Sequence, residues 1–297
     1  MHACTARSPL YAVGLAAVLA AALAGCAAAG SGTAATSSPA TTATPSSPLD
    51  AVQLAAKTTS GASSFTGTIS LQATAKAGAT GSDNVSMTAT MAEQVRPSLQ
   101  AEVQIGTLSV AGSKLPGGMT ELITPSNFYL KWSFLTQEAH LAKPWLVIPV
   151  SALGKSSGVN LGQIFNQPTT SSPLNESQML AGASGVRKIG TGTIDGVPVT
   201  EYSGAVSIDK GMQYLSGSAK TAMQKEVAAD GLSTATFTVW VDSQKVMRKA
   251  VITENGTALT EVVTVTISSL NRPVHIQVPA ADQTTSLPSS ALGSLGG

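Results

Sequence analysis

The chain reads as an α+β protein built on a large antiparallel sheet. Three observations carry that reading. Several segments alternate apolar and polar residues with a period of two. Short turn-forming stretches link them directly, as in hairpins and meanders. The helical patterns are few and do not alternate one-for-one with the strands, which argues against a doubly wound parallel sheet and a two-lobed solute-binding architecture.

The elements follow in order. Ser47-Pro48-Leu49-Asp50 has the residues of a helix start, with Ser at the N-cap and Pro in the first turn, and predicts a helix to about Thr59. "FTGTISLQATA" sets Phe65, Ile69, Leu71 and Ala73 against Thr66, Thr68, Ser70 and Gln72. "NVSMTATMAEQVR" does the same with Val85, Met87, Ala89 and Met91, and "SLQAEVQIG" with Leu99, Val103 and Ile105. "MTELIT" and "SNFYLKW" predict a hairpin around Pro125, and "KPWLVIPVSALG" a short strand. "LGQIF" and "PLNESQMLAGA" read as short helices, the second from Pro173. "VRKIGTGTIDGVPVTEYSGAVS" is a hairpin turning at Asp195-Gly196, a strong local signal. "SGSAKTAMQKEVAAD" places Ala219, Ala222, Met223 and Val227 on a helical stripe that Gly231 stops. Three closing strands turn at Asp242–Lys245 and at Asn255-Gly256.

The flanks have a different character. Arg7 precedes an apolar run from Leu10 to Leu23, about 14 residues, which suits a secretory h-region and is too short for a transmembrane helix of about 20. Leu23-Ala24-Gly25-Cys26 then resembles the bacterial lipobox. That resemblance implies cleavage of residues 1–25 and a covalent diacylglycerol on Cys26, which anchors the chain to the extracytoplasmic face of the cell membrane. Two or three long chains on one residue hold far more firmly than a single acyl chain. Residues 27–48 contain only Ala, Gly, Ser, Thr and Pro. They read as a flexible tether with a reach of about 25 Å. The folded domain is expected at 49–278, with 279–297 a disordered tail.

Composition excludes several functions. Net charge is +1 and 11% of residues are charged, with no basic patch to suit nucleic acid. Cys4 and Cys26 are the two cysteines, so the domain holds neither a disulfide nor a thiolate metal site. His140 reads as a loop residue and His275 as an outward strand position, and neither has metal-ligand spacing to another donor. "LSGSAK" lacks the strand that would precede a nucleophile elbow, so Ser216 and Ser218 read as helix caps. "GTGTIDG" enters a hairpin and is no phosphate cradle. Glu93, Glu102 and Glu201 fall in strands without close partners in sequence.

Three stretches also resemble the actinobacterial LppX/LprG-type lipoproteins: "AKPWLVIPVSALG", "GTGTIDGVPVTEYSGAVS" and "FTVWVDSQKVMRKAVIT". Lys245 stands where that turn often carries Gly. The resemblance implies a curved half-barrel sheet with helices covering its concave face and an apolar cavity between. It implies a non-enzymatic protein with no cofactor beyond the anchor lipid, whose partners are an acylated membrane lipid or glycolipid and possibly an envelope transporter protein. The residues expected to face that cavity are Ile69, Leu71, Met87, Met91, Val103, Ile105 and Leu130. The competing expectation is a tethered sensor, adaptor or assembly factor with the same fold and a filled core. A hydrolase is disfavoured for want of a nucleophile–base pattern.

Overall fold

The structure is a computed structural model. It describes residues 47–77, 84–115, 118–138, 140–150, 177–215 and 231–286, with a few positions between 220 and 227. The signal-peptide, Cys26 and tether expectations, the "LGQIF" helix, Ser216 and Ser218 lie outside the described residues.

Helix α1 (Pro48–Ser60) opens the domain where expected. Ser47 Oγ accepts the Asp50 N–H at 3.1 Å, which satisfies one of the unpaired donors of the first turn. Val52, Ala55, Ala56 and Thr59 form its buried stripe at helical spacing. Strands β1 (Ser64–Ala75), β2 (Val85–Gln94) and β3 (Gln100–Val110) form the expected antiparallel meander. The two-residue β4 (Ser113–Lys114) folds back on β3. The hairpin β5 (Met119–Ile123) and β6 (Asn127–Lys131) extends the sheet. A short helix α2 (Ser133–Glu138) leads to β7 (Trp145–Pro149), which pairs with β6. A 3-10 segment (Ser177–Gly182) precedes the hairpin β8 (Ala183–Ile194) and β9 (Val197–Ser207). Both of its turn residues have positive φ, 48° at Asp195 and 78° at Gly196, as a tight hairpin turn requires. After a one-turn helix α3 (Ile208–Gly211) come β10 (Thr234–Asp242), β11 (Met247–Asn255) and β12 (Leu259–Leu270).

All of these strands join one sheet of 13, in the order β13-β7-β6-β5-β3-β2-β1-β12-β11-β10-β9-β8, with β4 beside β3 and β13 (Thr284–Ser286) at one edge. The pairings are antiparallel except β13 on β7. The joint between the halves is β1 against β12, where the last long strand returns to the first.

Register shifts bend the sheet at several points. One lies between Thr66 and Gly67, opposite β12. A Cβ on Gly67 would come 2.2 Å from the Thr266 carbonyl oxygen, so only glycine fits. The missing side chain there serves close backbone approach; it does not leave room for a ligand. A second shift, between Thr88 and Ala89, accommodates Gly106 as the extra residue of β3, so that Leu108 and not Thr107 returns to the apolar face.

Among the described residues helices cover the face in part: α1 packs on the 3-10 segment, β8, β10 and β11, and Phe134 of α2 packs against the core of the β1–β7 half. Two expectations need correction. The end of the chain is more ordered than its composition implies. Residues 281–283 form a 3-10 turn, and Thr284 to Ser286 pair in parallel with Trp145 to Val147. An open sheet edge offers backbone donors and acceptors to any chain that reaches it, and such pairing leaves no side-chain signature. His275 lies exposed in the irregular segment before that turn, not in a strand.

Candidate functional site

The seven residues expected to face the ligand do share one face, and the pairings arrange them in rows. One row runs Gly67–Met91–Val103–Glu121–Leu130–Leu146 across β1, β2, β3, β5, β6 and β7. The next runs Val265–Ile69–Ala89–Ile105–Met119, and the third Val263–Leu71–Met87–Leu108. All seven are buried except Val103, which is half-buried. They belong to a core that also takes in Phe65, Leu99, Phe128, Trp132 and Ile148.

A second core lies under α1. Val52, Ala55 and Ala56 meet Leu180, Phe237, Val239, Val241, Met247 and Ala250. Alanine on the helix lets it approach the sheet closely. Polar ties fix the layer: Met247 N–H donates to Thr59 Oγ1 at 3.0 Å, Gln53 Nε2 to the Ala181 carbonyl at 2.8 Å, and Ser177 Oγ to the Ala56 carbonyl at 3.3 Å. Asp242 closes the β10–β11 turn. Its Oδ1 accepts the N–H groups of Gln244 and Val246 at 2.8 and 2.9 Å, and its Oδ2 pairs with the Arg248 guanidinium at 2.7 Å. Lys245 in that turn adopts φ 62°, which explains why glycine suits the position. The "VWVDSQKVMRK" stretch therefore encodes a hairpin.

Between the two cores the apolar face is less well covered. Ile252 on β11 and Val263 and Val265 on β12 are only half-buried, although their neighbours on either side are buried. With Thr59, Phe65 and Leu180 they line a crevice of about 40 Å³ between α1, the 3-10 segment and the sheet. That is room for a few water molecules at most. None of the seven expected residues lines it. Its own lining was legible as the alternation of "LTEVVTVTIS", but only the β1–β12 pairing turns that strand into the seam of the sheet.

A larger groove, about 490 Å³, lies on the opposite, polar face. Glu102, Gln104, Thr120, Lys131 and Trp145 line it beneath residues 277–280. Gln104 donates to Glu102, and Lys131 sits 5.8 Å from the centre of the Trp145 ring. Trp145, Val278, Pro279 and Ala280 line it beside the charged and amide groups, so its surface is mixed.

The inner face also carries carboxyl groups that the sequence reading did not place there. Glu93 is fully buried on β2. Glu121 is 4% exposed on β5, and burial pushes its carboxyl from 4.5 up to about 8. The signal was available: in "MTELI" a period of two puts Glu121 with Met119 and Ile123. Glu102 faces the polar groove, and Glu201 lies on the outer face opposite Trp240. Among the described residues there is no group of three or more potential metal ligands, and no helix is long and apolar enough to cross a membrane.

No protein-family profile matches the chain. It is 28% identical over 148 residues to an uncharacterised 31.2 kDa protein of Streptomyces griseus, a match that spans 48% of each. Its structural neighbours include two mycobacterial lipoproteins. LppX of Mycobacterium tuberculosis is 17% identical, with 77% of this chain and 98% of LppX covered at a TM-score of 0.44. LprF of Mycobacterium bovis is 16% identical, with 79% and 97% covered at 0.45. A LolA superfamily protein from Nitrosomonas europaea is 10% identical, with 77% and 95% covered at 0.29.

Proposed function

We propose that this protein is a non-enzymatic lipoprotein of the cell envelope, tethered through Cys26, that shields the acyl chains of a lipid or glycolipid between its sheet and α1. The observation that supports this most is the half-covered seam at Ile252, Val263 and Val265, an apolar strip between two buried cores. Burial of apolar surface is worth about 25 cal/mol per Å², so a chain laid along that strip is held without many polar contacts. The crevice of about 40 Å³ is a closed form, and a ligand enters by parting α1 and the 3-10 segment from β11 and β12. The Met247–Thr59 hydrogen bond crosses that boundary and is what opening breaks, while the Gln53–Ala181 and Ser177–Ala56 bonds hold α1 and the 3-10 segment together as they move.

Organic extraction of protein purified from its own membranes, followed by mass spectrometry, tests the reading. Co-purifying acyl lipid in near-stoichiometric amount is expected; its absence, with no uptake of added lipid, rejects the proposal. Cys26→Ser is expected to release the chain to the soluble fraction.

A second reading draws on the same small volume. If the crevice stays shut, the filled fold is a tethered module for recognising another envelope protein. Capture of a partner by a lipid-free protein is the outcome that favours it.

A further inference from the structure

Glu121 is the one acidic side chain in the row that carries Met91, Val103 and Leu130. Its neighbours across the strands are Val103 on β3 and Leu130 on β6, and along its own strand Met119 and Ile123 share its face. It is 4% exposed, and burial alone, with no hydrogen bond or ion pair beside it, shifts its carboxyl. A buried polar group without a partner costs roughly 1–3 kcal/mol or more, and a native fold keeps one where it has a use. Sheet geometry gives no reason for it: Met119 and Ile123 show that apolar residues fit this face of β5.

We propose that Glu121 is a specificity-determining residue of the lipid site, hydrogen-bonding the ester carbonyl of an acyl-ester ligand whose chains lie along Met91, Val103 and Leu130. This rests on the lipid-shielding function proposed above and extends the site from the seam onto the β2–β6 face. A carboxylic acid has one O–H donor, and an ester carbonyl is the acceptor that adjoins an acyl chain. A hydrocarbon or ether chain offers no comparable acceptor, so the same side chain that welcomes an ester leaves itself unsatisfied beside an ether. With its carboxyl raised to about 8, Glu121 is mostly neutral at pH 7 and able to donate. Charged groups facing it are few. β3 presents Ala101, Val103 and Ile105, β6 presents Phe128 and Leu130, and Glu93 on β2 is the nearest other acid on the face. Lys131 points to the opposite face beside Thr120.

The test compares binding of dipalmitoylglycerol with that of its dihexadecyl ether analogue by the full-length protein in detergent. At pH 7 the wild type is expected to prefer the ester by about tenfold, the value of one hydrogen bond. Glu121→Leu loses the preference and binds both alike. Glu121→Gln, which keeps an N–H donor and a similar shape, retains it. At pH 9.5 the wild type loses the preference and Glu121→Gln does not. Equal binding of both lipids by the wild type, or an ester preference that survives in Glu121→Leu, overturns this inference while the lipid-shielding function stands. Binding of neither lipid overturns both.

Discussion

Strands β8, β10 and β11 lie beneath the long helix α1, whereas the core of strands β1 to β7 meets, among the described residues, only Phe134 of the short helix α2 and nearby loop side chains. The covered half is fixed by polar ties at defined points: Thr59 to Met247, Gln53 to Ala181, and the Asp242–Arg248 pair that locks the β10–β11 turn. The curled half has long period-2 strands, two bulges and a face of Met, Leu, Ile and Val, interrupted by Glu93 and Glu121. A helix layer built on small residues and side-chain hydrogen bonds specifies one packing. A curved sheet of adaptable side chains tolerates several, and methionine suits that task. Under the lipid-shielding function proposed above, the difference leaves the curled half as the adaptable apolar surface, with the seam at β11–β12 beside the helix-covered half.

Substitutions in each half test whether that contrast is energetic as well as geometric. Phe65 is fully buried at the edge of the seam, and Phe65→Ala is expected to cost about 4 kcal/mol in urea unfolding. Asp242→Ala strikes the covered half. It strips two backbone N–H groups and leaves Arg248 without its partner, at a cost of about 3 kcal/mol. Hydrogen exchange read on both variants sharpens the comparison. If the halves are separate units, each loses protection mainly around its own substitution; uniform loss across all strands breaks the distinction.

Glu121 gives the curled half a pH dependence. Its folded-state carboxyl titrates near 8 against 4.5 when exposed, so the folded chain retains a proton that the unfolded chain releases. Its contribution is therefore fully present below pH 4.5 and is lost as pH rises to about 8, by at most about 1.4 kcal/mol per pH unit. Glu121→Leu is expected to remove this slope and to add about 2 kcal/mol of stability at pH 8 in denaturant titrations. An unchanged slope sinks the assignment. The smallest effect belongs to Lys245→Gly. Relief of the positive φ at 62° is expected to stabilise the β10–β11 turn by about 0.5 kcal/mol, read as a small rise in Tm.

Much of the curled half was legible in the sequence because alternation is a local signal. "FTGTISLQATA" and "NVSMTATMAEQVR" state which residues share a face before any pairing is known, and the Asp195-Gly196 turn states its own hairpin. The same rule applied to "MTELI" would have put Glu121 inside; attention to apolar residues passed over it. The polar tail strand was invisible, since β13 pairs through its backbone alone. The 40 Å³ crevice was invisible too, because its walls come from α1, the 3-10 segment, β1, β11 and β12, which are far apart in the chain.

What the sequence alone determined, then, is the inward or outward side of the alternating strands, the helix cap at Ser47 and the tight turns, all of which depend on residues a few positions apart. Only the tertiary structure decided that β12 returns to β1, that α1 covers one half and not the other, and that a half-covered seam lies between two cores. Those outcomes depend on which distant surfaces meet, and the period of a strand specifies a face without specifying what lies against it.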